Sequence, residues 1–229
     1  MLNKIYFNYK KKVKEVFTMF KTIKEENVQA EIVEKKSKFI ANVFYIETSK
    51  EAEEIINKIN KKYYDARHNC YAYSVQNPNE NIKRFSDDGE PSGTAGAPML
   101  NIIEKNNISN ILVIVTRYFG GILLGTGGLV RAYSEATIKA LEKVTYVKEE
   151  CGMELSITIN YSDFENLKYF CKKNNIYIIN TQYENFVECI IEVNNEEKDR
   201  LIADNDKNNF KILNYKVIKE KNIRKNIEN

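Results

Sequence analysis

Residues 84–100 read RFSDDGEPSGTAGAPML, and 120–128 read GGILLGTGG. The first stretch sets the carboxylates of Asp87, Asp88 and Glu90 beside the hydroxyls of Ser86, Ser92 and Thr94, with Gly89 and Gly93 between them. Hard oxygens of this kind suit magnesium or calcium, but the spacing of a calcium loop is missing and no further acid run supports it. Turn-capping aspartates and glycines at positive φ account for the same residues, so no metal is expected. Hydrolysis is the second chemistry. His68 and Cys70 fall on one face of a strand by period two, and Asp87 and Ser92 could serve the only histidine in the chain. No G-x-S-x-G elbow accompanies them, and no catalytic residue is assigned.

The second stretch offers backbone rather than side chains. Gly120, Gly121, Gly125, Gly127 and Gly128, with Thr126 as expected N-cap, precede a helical pattern, and amides at a helix start attract anions. A G-K-[ST] phosphate loop and a dinucleotide fingerprint are both absent, so no cofactor is expected, and tight strand-to-helix packing explains the glycines equally well. Around both stretches Tyr71, Tyr73, Tyr118, Phe119 and Tyr133 interleave with Arg67, Arg84, Arg117 and Arg131, a mixture that can stack bases and hold phosphates. Core packing is the ordinary use of such rings.

The elements that must position these residues are legible around them. Strands are expected over 29–35 and 38–46, then a helix opened by Thr48 and Glu51 as a capping box. Alternation over 68–76, a turn, 82–86, a short helix over 97–105 and a β-branched run over 111–118 follow. Leu129, Val130, Tyr133, Ala136, Thr137, Ala140, Leu141 and Val144 then keep one helical face. Beyond 153 the order is β-α-β-β-α-β, the ferredoxin-like arrangement. An α+β chain of two domains results, 19–148 and 149–229, preceded by an extension over 1–18.

Composition narrows the class. Eight of nine glycines lie between Gly89 and Gly128 and all three prolines between Pro78 and Pro98, so special backbone geometry is confined to one zone. The net charge is +3, of which residues 1–18 carry +4; the body is near neutral, and charge alone does not mark a nucleic-acid domain. Met19 offers a second start, which would remove that tail. The four cysteines form no Cys-x-x-Cys pair and no signal-peptide pattern opens the chain, so a reducing cytoplasm is the expected location. Residues 110–130 have the length of a membrane span, but five glycines and Arg117 make a lone spanning helix costly, and no membrane partner is expected.

DARHNCYAY (65–73), FSDDGEPSGTAGAPML (85–100) and VTRYFGGILLGTGGLVRAY (115–133) closely resemble the IMPACT family, and the two-domain layout is similar to its bacterial YigZ-type branch. The resemblance spans about 24–220. It implies a first domain with the fold of domain 2 of ribosomal protein S5, a ferredoxin-like second domain like those of translational GTPases, and a role in translational control. Eukaryotic members act there under amino-acid starvation through an N-terminal RWD domain not found in these 229 residues. The expected partner is RNA or the ribosome, or a protein of translation control, met without catalysis on one concave face. That face comprises Arg67, His68, Ser86, Asp87, Asp88, Gly89, Glu90, Ser92, Gly93, Thr94, Arg117, Tyr118, Gly120, Gly121, Gly125, Thr126, Gly127, Gly128 and Arg131. The alternative is a hydrolase, or an enzyme of phosphorylated small molecules, using His68, Asp87 and Ser92.

Overall fold

In the computed structural model, which describes residues 20–77, 80–203 and 209–227, β2 (Asn27–Glu34) and β3 (Ser37–Tyr45) form a hairpin turned by Lys35 and Lys36, both at positive φ. The extension over 1–18 lies outside the described residues. β3 then pairs antiparallel not with the next strand in sequence but with β6 (Ile111–Tyr118). On the other side of β6 lie β4 (His68–Gln76) and, at the edge, β5 (Asn81–Ser86), giving the all-antiparallel order β2-β3-β6-β4-β5.

β6 is buried over Ile111 to Arg117 because both of its faces are covered. Ile111, Val113 and Val115 join the core under α2 (Gly96–Lys105) and α3 (Gly125–Leu141), whereas Leu112 and Ile114 join the one under α1 (Ser49–Lys62). Each fully buried side chain there contributes roughly 1.5–3 kcal/mol. The capping box of α1 forms as expected in part: Glu51 N–H donates to Thr48 Oγ1 (3.1 Å), while the Glu51 carboxylate takes the Glu47 amide (2.8 Å). The span over 110–130 resolves into a strand, a loop and a helix start, and among the described residues no helix is long and apolar enough to cross a membrane.

The chain divides into two compact units, meeting at Lys148 and Glu149. β1 (Phe20–Ile23) pairs with β7 (Tyr146–Ile159), within which that boundary falls. In the second unit α4 (Tyr161–Lys173), β8 (Tyr177–Tyr183), β9 (Val187–Val193), α5 (Asn195–Ala203) and β10 (Ile212–Asn226) complete β-α-β-β-α-β. Their sheet order, β10-β7-β9-β8, is the ferredoxin-like one, with Leu155, Ile157, Cys189 and Ile191 buried together with Phe164, Leu167 and Cys171 of α4. The other face of the sheet carries Glu154 and Glu192, both held by Lys221 (3.6 and 2.9 Å).

Candidate functional site

Glu90 is the centre around which the predicted residues organise. It follows the turn Asp87–Gly89, where Asp88 and Gly89 both have positive φ and the Glu90 amide donates to the Asp87 carbonyl (2.9 Å). The turn throws the Glu90 side chain inward, 3% exposed, where Oε1 accepts from Arg117 Nη1 (2.6 Å) and Tyr133 Oη (2.8 Å). His68 Nε2 stands 3.8 Å from the same oxygen. His68 Nδ1 lies 2.6 Å from the Asp88 carbonyl, an acceptor only, so that nitrogen carries a proton and the ring is fixed. Strand register brings these groups together, since Arg117 of β6 is opposite both Phe39 and His68.

Arg117, expected at the edge of an open face, is instead a buried partner, 7% exposed at its side chain. Its guanidinium sits between the rings of Phe39 (5.5 Å) and Phe119 (5.6 Å). The physical reason is parity: with Ile111, Val113 and Val115 it faces the core under α3, and a charge taken there must be paired. Tyr133, read from sequence both as part of a helical face and among the rings that could stack bases, is buried against Glu90. Its ring meets Phe39 edge-on (5.2 Å), and burial together with Cys70 and Glu90 raises its phenol well above the ordinary range. Cys70 lies 3.3 Å from Tyr133 Oη and 3.0 Å from the Asp87 carbonyl, and burial pushes its thiol up to about 12. A thiol so held is not a nucleophile at neutral pH.

The hydrolytic set is not assembled. Asp87 spends its carboxylate on backbone: Oδ2 accepts from Gly93 N (2.8 Å), and Oδ1 from Ala95 N (3.0 Å) and Gly96 N (2.9 Å). It thereby caps α2, whose own N-cap residue, Ala95, has no side-chain acceptor to offer. Ser92 is exposed and makes no hydrogen bond to His68 among the described residues. Ser86 accepts from Asp88 N (3.2 Å), and Thr94, buried, donates to the Pro91 carbonyl (2.6 Å); both brace the loop. Gly96 has its own constraint, because a Cβ there would lie 2.7 Å from the Ser86 carbonyl oxygen.

The glycine-rich stretch is partly structural and partly open. A Cβ on Gly120 would fall 2.0 Å from the Lys36 carbonyl carbon, so β6 can leave the sheet past the β2–β3 turn only with glycine at that position. Gly121 and Gly125 take φ of +84° and +69° and hold a loop that exposes Ile122 and Leu123. Thr126 does not cap α3: the N-cap is Leu124, two residues earlier, and no side chain caps the helix. Gly127 and Thr126 are exposed, Gly128 packs on Leu124, and Arg131 is exposed with Nη1 3.8 Å from where a Gly127 Cβ would be.

An open groove of about 700 Å³ is lined by Asp65, Ala66, Arg67, His68, Asp88, Tyr118 and Phe119. Tyr118 donates to Asp65 Oδ1 (2.9 Å), and Arg67 is held by its backbone to the Arg117 carbonyl (2.9 Å) with its side chain exposed. Thus Arg67, His68, Asp88 and Tyr118 of the predicted face converge on the groove, with Glu90 and Arg117 buried behind it. Thr126, Gly127, Gly128 and Arg131 are not among its walls. Phe119, read from sequence among the rings that could stack bases, supplies its exposed ring.

The Impact N-terminal domain model matches residues 35–141, which include this site, and the domain of unknown function DUF1949 matches 157–204. The chain is 38% identical over 173 residues to IMPACT family member YvyE of Bacillus subtilis (strain 168), covering 73% of this chain and 79% of that one. To IMPACT family member YigZ of Escherichia coli (strain K12) it is 36% identical over 154 residues, 67% and 76% of the two chains. Among solved structures, a hypothetical protein superposes with a TM-score of 0.57 at 30% identity, covering 85% of this chain and 96% of the other.

Proposed function

The chain belongs to the IMPACT family, and from that premise we propose that it is a non-enzymatic translation regulator that binds RNA through the groove beside His68. Translational control is what the family resemblance implies. The observation that carries the RNA reading is the groove itself, which an exposed arginine, Arg67, and an exposed ring, Phe119, both line. Cation and ring together are the elements with which proteins hold unpaired nucleic acid. The buried Glu90–Arg117–Tyr133 cluster behind them acts as a rigid backing rather than a reaction centre, since Glu90 Oε1 is held by two donors and burial keeps the Cys70 thiol protonated. Asp87, engaged in capping α2, is not the residue that orients His68.

The test is sedimentation of the full chain from native lysate through sucrose gradients at low and high salt, with Arg67→Ala and Phe119→Ala alongside. Arg67 rather than Arg117 is substituted because Arg117 is buried in the fold. Expected is migration with ribosomal particles that salt abolishes and both variants weaken. Free migration of the unaltered chain at every salt concentration overturns the reading.

A further inference from the structure

Resting on the RNA reading above, we infer that the groove takes one unpaired ribonucleotide, with its base on Phe119, its phosphate at Arg67 and its 2′-hydroxyl donated to Asp88. Three observations define the chemistry. The Phe119 ring is 48% exposed while the Arg117 guanidinium lies 5.6 Å from its centroid. One face of the ring is therefore held from behind and the other presented, a stacking platform whose ordering cost is met before any ligand arrives. Aliphatic walls are few: beyond Ala66 the lining is aromatic, charged or imidazole, so the groove suits a flat, polar ligand rather than a lipid or an apolar side chain.

Asp88 supplies the discrimination. Its carbonyl is bound to His68 Nδ1 (2.6 Å) and its Oδ2 to the Asn69 amide (2.6 Å), so the residue is fixed at both ends in a left-handed conformation, φ +43°. Oδ1 takes no donor from the described residues, yet Asp88 lines the groove. A positioned carboxylate oxygen lacking a donor is the acceptor that a ribose hydroxyl fits, and the 2′-hydroxyl is the group that separates RNA from DNA.

Charge sets the remaining expectation. Arg67 is the permanent cation of the groove and Asp65 and Asp88 oppose it, so only about one phosphate is neutralised. For a single strand this corresponds to a salt slope of about −0.7 in log affinity against log salt, far shallower than that of a basic surface gripping several phosphates.

The experiment is fluorescence anisotropy of fluorescein-labelled oligoriboadenylate, oligodeoxyadenylate and 2′-O-methyl oligoadenylate, eight nucleotides each, with the full chain at several salt concentrations. The riboadenylate should bind at least several-fold more tightly than the other two, with the shallow slope. Phe119→Ala should cost about tenfold or more for all three. Asp88→Gly, which keeps the left-handed backbone, should bring the three affinities together, its thermal transition being recorded to verify folding. Equal affinity of the unaltered chain for ribo- and deoxyadenylate overturns the inference, as does a folded Asp88→Gly chain that still discriminates or a slope of −3 or steeper. Ribosomal co-migration that persists while no oligonucleotide binds removes this inference and leaves the RNA reading of the gradient standing.

Discussion

Arg117 and Glu90 form an ion pair of 2.6 Å with side chains only 7% and 3% exposed, on the same face of the sheet as His68. Pairs so dehydrated are costly to break one side at a time, because the survivor keeps its charge and loses its compensation. Glu90→Gln should therefore destabilise the first unit by roughly 3–5 kcal/mol, read as a lower urea midpoint. Tyr133→Phe, which removes one donor to the same carboxylate, should cost less, about 1.5–3 kcal/mol. A Glu90→Gln chain as stable as the parent would mean that the pair does not hold the site.

Asp87 satisfies three amides at once. Asp87→Ala should cost about 2 kcal/mol or more. Amide hydrogen exchange at Gly93, Ala95 and Gly96 should quicken selectively; uniform exchange throughout the unit would instead point to global loosening.

Burial raises the thiols of Cys70 and Cys171 to about 12 and of Cys189 to about 11, from an ordinary 9.0. Between those values the folded chain retains protons that the unfolded chain has lost, so stability is unaffected below pH 9 and falls as pH rises above it. Urea midpoints at pH 8 and pH 10.5 should differ in that direction. In the native chain a thiol reagent should react quickly only at Cys151, the cysteine that is not buried, and at the other three after denaturation. Rapid native labelling of Cys70 would contradict the packing beneath Tyr133.

Gly120 and Gly93 should respond differently to alanine. The Cβ of Gly120→Ala meets the Lys36 backbone at 2.0 Å, and about 3 kcal/mol of overpacking, or failure to fold, is expected. Gly93 has open space around it and only its φ of +76° to protect, so Gly93→Ala should cost roughly 1–2 kcal/mol. Thermal melts of the two variants side by side decide between these mechanisms.

Much of the architecture is written in local patterns. The β-branched run of β6, the Thr48–Glu51 cap and the β-α-β-β-α-β order of the second unit are each short-range signals, and the corresponding elements form where those signals lie. The site is harder to read because it depends on parity and on long-range packing. Arg117 alternates in phase with Val113 and Val115, a signal that places it in the core, yet its charge invites the opposite reading. Tyr133 has the spacing of any buried ring, and nothing local reveals that its hydroxyl will meet a carboxylate 43 residues away. Asp87 looks like an acid available for chemistry until the backbone folds its neighbours onto it.

The pairing of β3 with β6 also has a consequence in time. Lys38 lies opposite Tyr118, about 80 residues further along the chain, and the intervening β4 takes its place on the far side of β6. Contacts so distant in sequence make folding slow. At ribosomal rates of roughly 5–20 residues per second, the β2–β3 hairpin emerges with an unpaired hydrogen-bonding edge for several seconds before its partner strand exists. Newborn chains of this protein thus pass through an interval in which the Phe39 to Val43 edge is open to the wrong neighbour, an aggregation window set by topology rather than by final stability.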